Sequence, residues 1–140
     1  MKEKIYVAAG WFTPAQRDHL DILEHLVKNQ DKYDYFFPRQ DNLGTHGTAD
    51  WDAIYKNNID ELDKCDYMVA ITTDKDMGTL VEVGQFINMK KPVIFFTPGL
   101  KGNFNLMLAK PAQRVCTTID DLGDALKDLS VKVKFEDAIE

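Results

Sequence analysis

Short apolar runs alternate along the chain with longer segments in which apolar residues recur every three or four positions. The short runs predict β-strands, and the longer segments predict amphipathic α-helices. The predicted strands cover residues 4–9, 33–37, 66–73, 93–97 and 114–117. The predicted long helices cover residues 14–29, 51–65, 79–89 and 119–129.

This alternation is typical of a single α/β domain of the flavodoxin or Rossmann-like kind, spanning all 140 residues. We expect a doubly wound, mostly parallel five-stranded sheet with helices on both faces. Thr13 is a preferred N-cap and Pro14 a preferred first helical residue, so the first helix should begin there. Residues 39–50 form a long predicted loop, for which a ligand-facing role and a disordered surface excursion are both open. Residues 103–110 are a short helix or loop, and residues 130–140 an extra strand or an arm.

The composition limits the expected partners. The chain carries 23 acidic and 17 basic residues, with a formal net charge of −6. Affinity for a phosphate backbone comes from clustered Lys and Arg, so a nucleic acid polymer is not an expected partner, whereas a neutral nucleoside is compatible. No apolar run approaches the ~18 residues of a membrane span and no signal peptide precedes the first strand, so we expect a cytoplasmic protein without a membrane partner. Cys65 and Cys116 are expected to be reduced thiols.

Glu82 is the residue whose position most invites a chemical explanation. It lies in the predicted first turn of a helix, among the apolar residues Leu80, Val81 and Val83. In one interpretation, Thr79-x-x-Glu82 is a capping box and Glu82 bonds to the amides of its own helix. In the other, Glu82 is held as an anion by the helix dipole and acts as a nucleophile.

Further candidates lie in loops that a parallel sheet brings to its carboxyl edge, where ligands bind. Asp74 and Asp76 are either turn residues or, with Glu82, a carboxylate cluster suited to glycosyl transfer. Gly78 either permits close approach of a ligand to the backbone or belongs to a turn. Tyr6, on the first strand, is either a core residue or a group that orients Glu82.

The loop after the first strand offers two adjacent aromatic residues, Trp11 and Phe12, which suit stacking on a nucleobase. No metal site is expected, because the three histidines, His19, His25 and His46, are scattered and form no Cys/His cluster. No Gly-x-Gly-x-x-Gly or P-loop motif occurs, so no nucleotide cofactor is expected.

Five motifs occur together in the order seen in a known family. They are K-I-Y-V-A-A-G-W-F at 4–12, N-N-I-D-E-L-D-K-C-D at 57–66, D-M-G-T-L-V-E-V-G at 76–84, K-P-V-I at 91–94 and N-L-M at 105–107. Through them the chain, from residue 4 to about residue 110, resembles the nucleoside 2-deoxyribosyltransferases.

The resemblance implies a catalytic role for three residues. Glu82 matches the nucleophile, which forms a covalent deoxyribosyl-enzyme and passes the sugar to a second base with retention of the β configuration. Tyr6 matches the residue that positions this carboxylate. Asp76 matches an aspartate at the base and sugar that takes part in proton transfer to the leaving base. Trp11 and Phe12 match the aromatic loop that lines the pocket.

The resemblance also implies shared sites. Asn105 and Met107 match residues lent by a neighbouring subunit, which implies a homo-oligomer, a dimer or a trimer of dimers. Asn58 stands where some members carry an aspartate, and either Gln40 or Asn42 matches the glutamine that contacts the base.

The leading hypothesis is therefore the exchange of the base of a 2′-deoxynucleoside for another free purine or pyrimidine base, with no cofactor. One alternative is hydrolysis of the N-glycosidic bond of 2′-deoxynucleoside 5′-monophosphates, and another is a non-catalytic nucleotide-binding module. The only serine is Ser130, far from the predicted site. The resemblance implies that the related hydrolases hold the phosphate with serines and basic groups near the first loop. Because no serine lies there, a substrate with a free 5′-hydroxyl is favoured over one with a 5′-phosphate.

Overall fold

The computed structural model describes residues 1–42 and 50–140. Five strands form one sheet in the order β2-β1-β3-β4-β5, and every neighbouring pair is parallel. The strands are β1 (Lys4–Ala8), β2 (Asp34–Phe36), β3 (Tyr67–Ala70), β4 (Val93–Phe96) and β5 (Arg114–Cys116). This confirms the predicted α/β class and the five-stranded parallel sheet.

Helices connect the strands within the described residues. They are α1 (Pro14–Lys28), α2 (Pro38–Asp41), α3 (Trp51–Lys64), α4 (Met77–Asn88), α5 (Leu106–Ala109) and α6 (Ile119–Ala125), with a single 3₁₀ turn at Thr73–Lys75. As expected, Thr13 caps α1 and Pro14 begins it. No helix in residues 1–42 and 50–140 is both long and apolar enough to cross a bilayer.

Alternation along β1 distributes its side chains between two cores. Ile5 and Val7 pack with α1 and α6 on one face of the sheet. Tyr6 and Ala8 face the other side, where they pack with Leu62 of α3 and other residues of α3 and α4. Successive residues of a strand point to opposite faces, so Tyr6 belongs to the face that α4 covers.

Two predicted boundaries are wrong. Residues 39–50 were expected to be loop throughout, but the chain forms the short helix α2, begun by Pro38, with Asp41 Oδ2 accepting from Phe37 N–H at 2.7 Å. The part of this predicted loop that contains His46 lies outside the described residues. Helix α4 begins at Met77 and not at Thr79, because Asp76 is its N-cap.

The last residues of the chain form an arm and not a further long strand. Phe104 and Ile139 make an isolated parallel bridge, with Phe104 N–H donating to Ala138 O at 2.9 Å. Leu106 N–H donates to Glu140 O at 2.6 Å. The arm therefore lies against the segment that begins α5.

Candidate active site

The connection from β3 to α4 has an unusual backbone. Asp74 and Lys75 both adopt positive φ angles, 56° and 54°, although neither is glycine. Such conformations cost energy for non-glycine residues and are over-represented at functional sites. They end the 3₁₀ turn and direct the chain into Asp76 and α4.

Asp76 caps α4. Its Oδ2 accepts hydrogen bonds from Thr79 N–H at 3.0 Å and from Thr79 Oγ1 at 2.8 Å. The interpretation of Thr79 and Glu82 as a capping box is therefore wrong, since Thr79 donates to the cap instead of forming it. Asp76, and not the Glu82 carboxylate, therefore caps this helix.

Glu82 is bonded to Tyr6 across the sheet face. The Tyr6 hydroxyl donates to Glu82 Oε2, a contact between residues 76 positions apart in sequence. Tyr6 is fully buried, whereas Glu82 is half-buried. The pairing joins the centre of β1 to the second turn of α4.

Burial dominates the electrostatics of this pair. Desolvation raises the pKa of Glu82, the hydrogen bond from Tyr6 lowers it, and the negative charge of Asp76 raises it by a smaller amount, with a net result of about 7. Desolvation, followed by the charge of Glu82, raises the pKa of Tyr6, so the phenol stays protonated and donates. The expectation that the helix dipole keeps Glu82 ionised is wrong in its premise. Glu82 lies beyond the first turn of α4, where the dipole effect has fallen off.

A cavity of about 260 Å³ opens beside Glu82, between α3 and α4. Its volume is near the lower end of the range for small-molecule pockets. Besides Glu82, it is lined by Tyr55, Asn58, Ile59, Leu62, Gly78, Val81 and Gln85. A larger cavity of about 420 Å³, at Lys90, Lys91 and Lys132, contains none of the predicted site residues.

Three asparagine amides connect this cavity to the end of α2. Asn42 Nδ2 donates to Asn58 Oδ1 at 2.9 Å, and Asn57 Nδ2 donates to Asn42 Oδ1 at 2.6 Å. Asn42 is buried. Because Asn58 lines the cavity, the structure brings both Asn42 and Asn58 to the neighbourhood of Glu82.

Gln40 is directed elsewhere. Its Nε2 donates to Glu24 Oε1 at 2.9 Å, and its Oε1 accepts from Lys28 Nζ at 3.0 Å. Both partners belong to α1, on the opposite face of the sheet from Tyr6. The structure therefore does not bring Gln40 to Glu82.

The aromatic loop after β1 borders Asp76. Trp11 and Phe12 stack with their ring centroids 5.2 Å apart, and the Phe12 side chain is 69% exposed. Gly10 directly precedes this pair in the sequence. A Cβ on Gly10 would lie 2.7 Å from Asp76 Cγ and 2.9 Å from Gln16 Oε1, so any other residue there would force these side chains to shift.

Asn105 and Met107 lie apart from the cavity. The Asn105 side chain caps α5 by accepting from Met107 N–H at 2.9 Å, and Met107 is 75% exposed. Neither residue lines the space beside Glu82. Both residues are exposed at the surface of the chain.

Sequence reasoning missed several residues of the site. Tyr55, Ile59 and Gln85 line the cavity, and Gln16 contacts the aromatic loop. Gln85 follows Glu82 by three positions, so helical spacing alone places both on one face. The T-x-x-Q pattern at Thr13 and Gln16 also predicts a capping box, which forms. In residues 1–42 and 50–140, no group of three or more His, Cys, Asp or Glu side chains is arranged to hold a metal.

Fold and site together define an α/β protein in which a buried tyrosine of a parallel sheet bonds a half-buried carboxylate at the wall of a cavity. The family described as Nucleoside 2-deoxyribosyltransferase matches residues 5–120. The chain belongs to this family, whose members are glycosyl-transferring enzymes acting on nucleosides and bases.

Individual relatives agree with the family assignment. The chain is 29% identical to a nucleoside deoxyribosyltransferase of Limosilactobacillus fermentum, over 76% of this chain and 74% of that protein. It is similar in fold to a 2-deoxyribosyltransferase of Bacillus psychrosaccharolyticus, with a TM-score of 0.81 and 24% identity over 95% of this chain and 98% of that one. A CMP N-glycosidase of Clostridium botulinum also shares the fold, with a TM-score of 0.62 and 15% identity over 90% of this chain and 100% of that one.

Proposed function

We propose that the protein is a nucleoside 2-deoxyribosyltransferase that exchanges the base of a 2′-deoxynucleoside for another free base. The observation that carries this proposal is the hydrogen bond from Tyr6 to Glu82 at the wall of a cavity. The Glu82 carboxylate is not used to cap its helix, is held by the Tyr6 phenol and faces a cavity. This arrangement suits nucleophilic attack on a sugar.

In the first half-reaction, a carboxylate oxygen of Glu82 attacks C1′ of the deoxynucleoside. The C1′–N bond breaks, its electron pair leaves with the base, and the base takes up a proton. The sugar is then held as an ester of Glu82. Tyr6 orients the carboxylate by bonding one oxygen, and a fixed geometry of the reacting groups is a large part of catalysis.

Asp76 is the proposed relay for the proton: it takes a proton from solvent, donates it to the leaving base, and in the second half-reaction accepts the N–H proton of the incoming base. Its Oδ2 is occupied by Thr79, whereas its Oδ1 lies on the side that faces Gly10, behind the aromatic loop. A base stacked on Trp11 and Phe12 would approach this oxygen. Asn58, supported by Asn42, is the proposed amide contact at the other side of the site.

In the second half-reaction, a nitrogen of an incoming base attacks C1′ and the ester bond to Glu82 breaks. The carboxylate is restored and the incoming base loses its N–H proton. Two inversions at C1′ give net retention of the β configuration. The exchange is balanced in atoms and electrons without a cofactor.

We further propose that the working form is a homo-oligomer, a dimer or a trimer of dimers, in which Asn105 and Met107 complete the site of a neighbouring subunit. The supporting observation is a set of exposed apolar side chains on α3, α4 and α5, since large exposed apolar patches mark interaction surfaces. They are Trp51, Tyr55, Met77, Val81, Leu106 and Met107.

The test is to incubate the protein with deoxyadenosine and cytosine and to follow deoxycytidine by chromatography. We expect deoxycytidine to form, and Glu82→Ala to abolish it without loss of fold. Glu61→Gln is the matched control, because Glu61 is a mostly buried carboxylate paired with Lys4 outside the cavity. Release of adenine with no new nucleoside would identify a hydrolase. No turnover of any deoxynucleoside or deoxynucleoside monophosphate would identify a binding module.

A further inference from the structure

Gln16 is a buried polar side chain that bonds two different loops. It is only 3% exposed, although glutamine is usually a surface residue. Its Oε1 accepts from Phe12 N–H at 2.9 Å and from Thr13 N–H at 3.2 Å, and its Nε2 donates to Thr73 O at 3.1 Å. One amide group thus joins the aromatic loop after β1 to the turn before α4.

Helix capping accounts for only one of these three bonds. A capping box requires the N3 side chain to accept from the N-cap amide, which is the bond from Thr13. The bonds to Phe12 and Thr73 are additional. Thr73 is 57 positions away in sequence, so the second loop is reached only because the chain folds back beside α1.

Neighbouring residues of α1 reinforce the connection. Thr13 Oγ1 donates to Asp74 Oδ2, and His19 Nδ1 lies 2.7 Å from Thr73 Oγ1. Thr13, Gln16 and His19 follow one another at intervals of three, so they share one face of the helix start. This face contacts the turn that contains both left-handed residues.

The turn needs such support. Residues other than glycine are strained in the left-handed region and persist only where the surroundings hold them. Asp74 and Lys75 are two in succession, directly before Asp76. The bonds from α1 therefore fix the backbone that positions the Asp76 carboxylate.

Gly10 shows how closely the parts pack. A Cβ placed on it would lie within 2.9 Å of both Asp76 Oδ1 and Gln16 Oε1. The Gly10 backbone is thus packed between the Gln16 amide and the Asp76 carboxylate. A shift of the Gln16 side chain would move the aromatic loop relative to Asp76.

We propose that Gln16 is a positioning residue that fixes the aromatic loop against Asp76 and so determines how the glycosyl-enzyme divides between base and water. The inference rests on the proposed function. When a base attacks C1′, the ester to Glu82 breaks, an N-glycosidic bond forms and the base loses a proton. When water attacks, the same ester breaks, free deoxyribose forms and the water loses a proton.

The two routes differ in their need for the loop. An acceptor base must be held by stacking in a near-attack geometry, and a displacement of about 1 Å can cost on the order of 100-fold in rate. Water needs no such platform. Loosening the loop should therefore reduce transfer more than hydrolysis.

The experiment compares Gln16→Met with Gln30→Met, since methionine keeps the length of glutamine without its hydrogen bonds. Gln30, near the other end of α1, also makes three main-chain bonds, to Val27 O at 2.9 Å, Tyr33 O at 2.8 Å and from Tyr33 N–H at 2.8 Å. We measure deoxycytidine and free deoxyribose produced from deoxyadenosine and cytosine. The ratio of the two products should fall by about 10-fold or more in Gln16→Met, by the positioning argument, and stay near the wild-type ratio in Gln30→Met. An unchanged ratio in Gln16→Met, or an equal fall in both variants, would overturn the proposal.

A second measurement does not depend on activity. In a Trp51→Phe background, Trp11 is the only tryptophan of the chain. Acrylamide quenching of its fluorescence should increase in Gln16→Met and not in Gln30→Met, because only the first variant releases the loop. Quenching that is the same in both refutes the positioning of the loop. Absence of turnover by the wild-type protein refutes the proposed function, and the quenching result still decides the role of Gln16.

Discussion

The proposed role of Glu82 combines two requirements that oppose each other. A nucleophilic carboxylate must be ionised, yet burial favours its neutral form. The structure balances these by surrounding it with apolar side chains while Tyr6 donates a hydrogen bond to the charged form. The result is a pKa of about 7, within the range where small changes of pH alter the fraction that is ionised.

The pH dependence of exchange follows from this value. In the proposed mechanism only the ionised form of Glu82 attacks C1′, so kcat/KM should rise with pH, with a midpoint near the pKa of about 7. Tyr6→Phe removes the bond that lowers this pKa, so its midpoint should move to higher pH. Initial rates between pH 5.5 and 8.5 measure both. A profile that is flat across this interval would contradict the assignment of Glu82.

Because burial disfavours the ionised form, Glu82 should lower the free energy of unfolding above neutral pH. The carboxyl of the unfolded chain loses its proton near its ordinary pKa of 4.5, but that of the folded chain only near 7. The stability contributed by the protonated form is therefore complete below about pH 4.5 and is lost as the pH rises to about 7.

Glu82→Gln should accordingly be more stable than wild type at pH 8, by about 1–3 kcal/mol, since the amide is neutral and still accepts from Tyr6. The advantage should shrink towards pH 5. Urea unfolding at both pH values measures it, and base exchange by this variant should be absent. A variant less stable than wild type at pH 8 would contradict the burial argument.

Gly10 is a second residue whose identity matters, because its neighbours in the candidate site leave no room for a side chain. In Gly10→Ala the new Cβ would overlap Asp76 and Gln16, so we expect exchange to fall by about 100-fold, as for other small displacements of reacting groups. Gly123→Ala is the control, because Gly123 lies in α6 and a Cβ there meets nothing within 4 Å. That variant should keep its activity and gain about 0.5–1 kcal/mol of stability. Equal activity in the two variants would refute the close packing.

At the scale of elements, one side chain at the start of α4 has both a structural role and a proposed chemical role. Asp76 caps the helix through Oδ2, and its negative charge contributes to the raised pKa of Glu82. Two functions in one residue can be separated by substitution, because asparagine also caps helices but carries no charge.

We expect Asp76→Ala to lose about 1 kcal/mol of stability, as a missing N-cap does, together with base exchange. Asp76→Asn should regain most of the stability but not the activity. Thr118→Ala removes the cap of α6, where Thr118 Oγ1 accepts from Asp121 N–H at 3.1 Å, and should cost stability alone. Thermal unfolding and the exchange assay distinguish the three. Full activity in Asp76→Asn would show that Asp76 only caps.

The elements themselves could be predicted from local patterns. The five apolar runs are the five strands, and Thr13 and Pro14 begin α1 as their chemistry requires. The start of α4 could not be settled in this way, because Asp76-x-x-Thr79 and Thr79-x-x-Glu82 are both acceptable local caps. In the folded chain Glu82 bonds instead to the hydroxyl of Tyr6, which lies 76 positions away in sequence, and Asp76 is left as the cap.

In the candidate site, too, local sequence patterns predict some features, whereas contacts between distant residues decide others. Gln40 and Asn42 are two positions apart and could not be separated from sequence, yet α2 directs one to α1 and the other to α3. The capping-box pattern at Gln16 is local, but its bond to Thr73 depends on the packing of α1 beside the turn. Family motifs led to Glu82, Tyr6 and Asp76, whereas Tyr55, Ile59 and Gln85 emerged only with the cavity.

At the scale of the whole molecule, the exposed apolar side chains lie on the same elements as the site residues. Met77 and Val81 flank the start of α4, and Met107 follows Asn105 at α5. An isolated subunit exposes these groups to water, which is unfavourable. A homo-oligomer would cover them and bring Asn105 to a neighbouring cavity.

Complementation between inactive variants tests this arrangement. Glu82→Gln and Asn105→Ala should each lose exchange alone, but co-expressed chains form mixed dimers in which one site has both native residues. About a quarter of wild-type activity should return if pairing in a symmetric dimer is random. Co-expression of Glu82→Gln with Asp76→Asn is the control. Both residues belong to the same chain's part of the site, so every site contains one of the two substitutions and no activity should return. A fully active monomer would refute sharing.

The arm bridged to Phe104 has a practical consequence for anyone who wishes to immobilise this protein. Ala138, Ile139 and Glu140 run beside the start of α5, so a support or fusion partner joined after Glu140 would crowd the surface that carries Asn105. Met1 precedes β1 and lies at the amino-terminal edge of the sheet, away from the loops that surround Glu82. Attachment through that side should leave the cavity and the proposed subunit contact open.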